Sequence, residues 1–198
     1  SLFHIDTKAS DLTGVCLLVS PDGLHWTFTG TVLPSQDASS IWQDQRTGHY
    51  YAFLKDRLGN NRSRMLMHSA DFKNWSEPQW IITPDHGDHE GTNFYNQSTF
   101  TLCGRTLGFL NLYDLTTQTT WVELIESGDN LNWRRMPARP HILQPGIQGS
   151  YDSGGAYVGL AEPILVGDDY RYYYYASADR HDAADTGGNR ALTGHLTF

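Results

Sequence analysis

No apolar run in this chain approaches the roughly 20 residues that a membrane helix needs, and no stretch repeats its apolar residues at a helical period. Cysteine is scarce. Cys16 and Cys103 are the two thiols, each in a strand-like run (GVCLLV and TLCGRT), without the paired spacing of a zinc site. A disulfide stays open, and two unpaired buried thiols are the simpler reading. Basic residues are also few, 14 Lys and Arg against 22 Asp and Glu, for a formal net charge of −8. That balance leaves no basic stripe to neutralise phosphates, so a nucleic-acid partner is excluded. There is no Gly-rich phosphate loop, no Gly-x-Ser-x-Gly elbow and no Cys/His dyad. Hydrolytic chemistry would therefore have to rest on carboxylates. SLFHIDTKAS has no basic start followed by a long apolar core, so no secretory signal is read there and the compartment stays open.

What the chain does have is aromatic residues (13%, with 11 Tyr and 6 Trp) and 19 Gly. This mixture suits short strands and turns, and faces on which sugar rings stack. One motif recurs three times: a serine, an aspartate two places on, and a tryptophan four places further. It reads SPDGLHW at Ser20, Asp22 and Trp26, SADFKNW at Ser69, Asp71 and Trp75, and SGDNLNW at Ser127, Asp129 and Trp133. The intervals suit one four-stranded blade per repeat. Each copy lies between strand-like runs and reads as a hairpin turn. Its Ser and Asp would bond backbone amides, while its Trp covers the end of a blade core.

Period-two alternation runs throughout. Segment 15–34 reads as the outer half of a blade, and 37–83 as a complete one. A polar connection, PDHGDHEG, leads to a third blade from about Asn93. SYDSGGAYVG, EPILVGDD and YRYYYYASAD then begin a fourth, followed by the loop RHDAADTGGN and the strand ALTGHLTF. The predicted fold is an all-β propeller of the five-bladed type, with about three and a half to four blades in a single domain, 1–198. That domain would be part of a larger ring. Open strand edges predict self-association or low stability. In the run Tyr172 to Tyr175 the side chains alternate, so half of them are expected in the core.

The order DASSIWQDQRTGHYYAFLKDR, SADFKNWSEP, GTNFYNQSTF, SGDNLNWRR, YDSGGAYVG and RYYYYASADRH resembles the five-bladed propellers of glycoside hydrolase families 32 and 43 and related uncharacterised bacterial proteins. The resemblance implies three carboxylates carried by successive inner strands to a central funnel. One would be a nucleophile or base, one would support the transition state, and one would be a glutamate acid. The Asn-Asp-Pro-like run and the Arg-Asp-Pro motif of family 32 are absent, and Lys55, Asp56 and Arg57 are not an equivalent of the latter.

The candidate catalytic residues are Asp37, Asp152 and Glu162. Asp37 opens a blade just before SSIW, and Asp152 holds the corresponding place in a later blade. Ser153, Gly154 and Gly155 would leave room for a ligand or for close strand approach. Glu162, flanked by apolar residues, suits a raised pKa and a proton-donor role, or else an edge position facing solvent. Candidate substrate-binding residues are Trp42, Arg57, Glu90, Tyr95, Asn96 and His181. They offer stacking faces, amide bonds, bidentate contact and hydroxyl binding. Packing or surface placement is the alternative for each. The loop Asp85, His86, Asp88, His89 and Glu90 reads either as a metal-ligating cluster or as a solvated loop. No cofactor is called for; a central Ca²⁺ fits the architecture but has no signature of its own. The expected ligand is a carbohydrate, bound by a glycosidase or by a non-catalytic sugar-binding propeller.

Overall fold

A computed structural model describes residues 2–6, 13–35, 37–159, 161–181 and 191–198. Segment 7–12 and most of the loop read at 180–189 lie outside the described residues. Every element with a defined range is a strand, and together they form part of a β-propeller. No helix among the described residues is long and apolar enough to cross a membrane.

The first sheet is β1 (Leu2–Asp6), β2 (Thr13–Val19) and β3 (Thr27–Leu33). The sequence predicts the β2–β3 pair, and β1 adds a strand upstream of it. The second sheet runs β4 (Ser40–Gln43), β5 (Tyr50–Leu58), β6 (Asn61–Ser69), β7 (Gln79–Ile82). The third has β8 (Thr92–Leu102), β9 (Arg105–Asp114) and β10 (Thr120–Ser127), edged by β11 (Trp133–Arg135) and β12 (His141–Leu143). In the fourth, β15 (Asp169–Ser177) pairs with β13 (Gly155–Val158), β14 (Ile164–Val166) and β16 (Ala191–Thr197). One parallel pair, Thr120 with Gly155, joins the third sheet to the fourth.

Three cores fill the three spaces between neighbouring sheets. Leu17 and Leu33 pack on Ala52, Leu54, Met65 and Met67. Tyr51, Phe53 and Leu66 pack on Phe94, Leu112 and Trp133. Phe100, Phe109 and Val122 pack on Ala156, Tyr172 and Tyr174. Strand β5 shows how alternation builds this: Ala52 and Leu54 face the first sheet, Tyr51 and Phe53 the third. A blade interior thus needs apolar residues at consecutive positions.

The Ser/Asp/Trp turns form as read. Asp71 Oδ1 accepts the Lys73 and Asn74 amides at 2.9 and 2.8 Å, and Asp129 Oδ1 those of Leu131 and Asn132 at 3.0 and 2.7 Å. Asp22 does the same for Leu24 and His25. These bonds favour the charged carboxylate and hold all three well below the usual carboxylate range. The tryptophans differ. Trp75 packs towards the first sheet and Trp133 edge-on to Phe53 of the second, whereas Trp26 is 40% exposed. Trp75 and Trp133 each cover the sheet before their own, and no such sheet stands before the first among the described residues. Cys16 is buried, but Cys103 is exposed. It sits with Gly104 in a two-residue hairpin where both have positive φ, a turn requirement that overrides the strand-like run.

Candidate functional site

The chain direction sorts the candidates onto two ends of the blades. Inner strands β4, β8 and β13 start at the upper end, where the hairpin at 58–61 and the loop at 115–119 also lie. The three Ser/Asp/Trp turns lie at the lower end, as do the loops that follow the inner strands.

Tyr95 is the centre of the upper-end cluster. The β8–β9 register shifts between Phe94 and Asn96, leaving Tyr95 as the extra residue of a β-bulge. Bulges re-aim a side chain and free a carbonyl. Here the freed Tyr95 carbonyl accepts from Arg64 Nη1 at 3.2 Å. The same guanidinium also donates to the Ala38 and Phe53 carbonyls, tying the Asp37 segment to β8. Arg64 is fully buried, and that burial lowers its pKa below the ordinary guanidinium range.

The turned-out Tyr95 ring meets groups from three sheets. Lys55 Nζ stands 4.4 Å from the ring centre, and the Arg62 guanidinium 6.0 Å. Tyr113 lies edge-on at 5.9 Å and Tyr157 at 6.3 Å. His181 Nε2 is 3.2 Å from the Tyr95 hydroxyl, and the His181 amide donates to the Gln118 carbonyl. Asp37 forms an ion pair with Lys55, whose side chain is 2% exposed against 54% for the aspartate. Burial pushes the Tyr157 phenol up to about 12. The cluster is an aromatic wall edged with cations, with Asp37 as the carboxylate open to solvent.

The structure brings Asp37, Tyr95 and His181 together. The others stand apart from them. Asp152 is at the same upper end, but Ser150 Oγ donates to its Oδ1 at 2.6 Å and its carbonyl accepts from Gly146 and Gly155, so it holds its own loop. The glycines after it serve close packing. A Cβ on Gly154 would stand 1.9 Å from the Asp179 carbonyl oxygen, and one on Gly155 2.3 Å from Thr120 Oγ1. Glu162 follows β13 and lies at the lower end, hydrogen-bonded by the Trp42 side chain. Burial raises its pKa, as the sequence suggested, at a place remote along the blade from Asp37. Trp42 itself is buried in the core between the second and third sheets.

Arg57 is exposed at the 58–61 hairpin and donates to the Asn60 carbonyl at 3.0 Å. Asn96 is buried, its Oδ1 accepting the Gln97 amide. Glu90 is exposed beside an upper-end cleft of ≈ 670 Å³ that His86 and His89 also line. Asp85 and Asp88 of that loop are engaged by arginines: Arg135 Nη1 reaches Asp88 Oδ1 at 2.6 Å, and Arg139 Nη2 reaches Asp85 Oδ1 at 2.7 Å. Arg135 also forks onto buried Glu123 at 2.8 Å. Lys55, Arg62, Arg64, Tyr113 and Tyr157 were not singled out from sequence. The one available signal was the run of charges KDR and NRSR on strands flanked by core residues.

No protein-family profile and no curated protein matches the chain. Solved structures are similar in fold. An N-acetylgalactosamine deacetylase from F. plautii, in complex with blood group B trisaccharide, aligns with a TM-score of 0.64 at 16% identity, over 93% of this chain and 64% of that one. The β-1,2-mannobiose phosphorylase of Listeria innocua gives 0.64 at 17%, over 92% and 48%. A glycoside hydrolase family 32 β-fructofuranosidase of Bombyx mori, in complex with sucrose, gives 0.56 at 16%, over 99% and 43%. The chain spans less than two thirds of the length of each. These neighbours share the chain's fold at low identity.

Proposed function

We propose that this chain is part of a carbohydrate-active propeller whose sugar site is the upper end of the inner strands around Tyr95. Reading it as a single domain within a larger ring belongs to the same proposal. The observation that carries it is the bulge at Tyr95. It breaks the pairing of an otherwise regular inner strand and turns an aromatic ring towards side chains from three sheets. An aromatic face bordered by a few convergent polar groups is the make-up of a sugar site. The saccharide complexes of the structural neighbours support the same ligand class.

In the catalytic form of this reading, the enzyme cleaves a glycosidic bond and Asp37 is its working carboxylate. Lys55 would orient Asp37, and the second carboxylate would come from Asp152 or a neighbouring segment. A screen of aryl-glycosides and oligosaccharides tests it, with Asp37→Asn run alongside the unaltered protein. Turnover lost in the variant supports a glycosidase.

A non-catalytic sugar-binding propeller is favoured by another observation. Asp37 is paired with Lys55, Asp152 is held by its own loop, and Glu162 is at the other end. Each of the three is engaged by a different partner, Lys55, Ser150 or Trp42. Saccharide binding without turnover would support this second form.

A further inference from the structure

The charge around Tyr95 is opposite to that of the chain. Lys55 and Arg62 lie against its ring, and Arg64 holds its carbonyl. Among the described residues one carboxylate, Asp37, forms an ion pair within this group, and it pairs with Lys55. Arg64 is committed to three carbonyls through both Nη atoms, with its Nε buried and unpaired. Arg62 is different. Its guanidinium lies 5.7 Å from the centre of the Tyr113 ring and 6.0 Å from that of Tyr95. It forms no ion pair with a described residue, and its Nη1 is buried without a hydrogen-bond partner among them. A desolvated guanidinium nitrogen left unpaired is unfavourable, and the group that best satisfies it is a planar or tetrahedral oxyanion.

The position is built rather than incidental. The Arg62 amide donates to Asn93 Oδ1 at 2.8 Å, fixing the start of β6 against β8. The Tyr95 and Tyr113 rings add cation–π contacts to the side chain. A neutral sugar needs hydroxyl and stacking partners, which Tyr95 and Asp37 would supply; it has no use for the guanidinium of Arg62.

We propose that the Tyr95 site takes an oxyanion, the carboxylate of an acidic sugar or a phosphate, with Arg62 as its principal binding residue and Lys55 and His181 beside it. This rests on the sugar-site reading above and adds the charge class of its ligand. Tyr95 would carry the ring and Arg62 the anion.

Titration calorimetry on the full chain tests it with three probes: inorganic phosphate, trigalacturonate, and the carboxyl-reduced form of that trisaccharide. The expected result is that phosphate or trigalacturonate binds about tenfold or more tightly than the reduced sugar. Arg62→Gln should lose that preference and Arg62→Lys should keep part of it, with added salt weakening only the anionic probes. A response to phosphate alone identifies the anion as free phosphate and counts against the sugar site. A preference for trigalacturonate over its reduced form identifies an acidic sugar. Equal binding of the charged and reduced sugars, unchanged in Arg62→Gln, overturns the inference while leaving the sugar site standing. Binding of none of the probes overturns it as well. Thermal unfolding of both variants guards against a folding defect, and a collapse of Arg62→Gln shifts the comparison to Arg62→Lys.

Discussion

The Lys55 ammonium stands 4.4 Å from the centre of the Tyr95 ring while its other side is held by Asp37. A buried cation is thus shared between an aromatic face and a carboxylate that reaches solvent. Burial, the largest influence, draws the Lys55 pKa below its ordinary value of 10.5, and Asp37 pulls the other way. Between the lowered folded value and 10.5 the unfolded chain holds more protons. Stability from this group therefore rises with pH across that window. Lys55→Met should remove the rise. Denaturant unfolding at pH 8 and at pH 10.5 checks it, and an equal rise in the variant would contradict the assignment.

Trp133 and Trp26 occupy the same place in their turns but not the same surroundings. Trp133 is 7% exposed and edge-on to Phe53, and Trp26 is 40% exposed. Trp133→Ala should destabilise by about 3–5 kcal/mol. Trp26→Ala should cost about 1 kcal/mol or less. Urea midpoints of the two variants measure the difference, and equal losses would argue against sheet-on-sheet cover as the role of this tryptophan.

Gly155 is where the fourth sheet is pinned to the third. Its φ is +146°, and an added Cβ would lie 2.3 Å from Thr120 Oγ1 and 2.8 Å from the Thr120 nitrogen. Gly155→Ala should therefore lower stability by at least about 1–3 kcal/mol through overpacking alone. A melting temperature equal to that of the unaltered chain would show that the two sheets can separate freely.

The turn aspartates set an acid limit. Backbone and side-chain bonds from Asn132, with the Leu131 amide, hold Asp129 down to about 2, against 3.8 for a free carboxylate. Its contribution is complete above about pH 4 and is lost as pH falls through about 2. Asp129→Asn should flatten the unfolding curve over that range. Acid titration followed by tryptophan fluorescence gives the comparison.

The propeller was legible because its signals are local. The Ser/Asp/Trp turns satisfy their own amides, and alternation such as Tyr51 to Leu54 writes the two blade faces directly into the chain. The site was legible only in part. Asp37, Tyr95 and His181 come together, but Lys55 in β5 and Arg64 in β6 were not singled out from the sequence. Their burial depends on partners in other sheets, which alternation cannot report. Glu162 follows Asp152 closely in sequence, yet the intervening strand β13 carries it to the other end of the blade. Asp44 was missed for the same reason. It is buried at the lower end, where Asn130 of the next sheet donates to it at 2.9 Å.

The measurement that bears most directly on the account is saccharide binding by Tyr95 variants. An oligosaccharide panel, acidic and neutral, would be titrated onto the unaltered chain, Tyr95→Phe and Tyr95→Ala. The account predicts binding that survives in Tyr95→Phe within a few-fold and falls about tenfold or more in Tyr95→Ala, because the ring carries the sugar. Unchanged affinity in a folded Tyr95→Ala protein would contradict it and remove the site from the upper end of the inner strands.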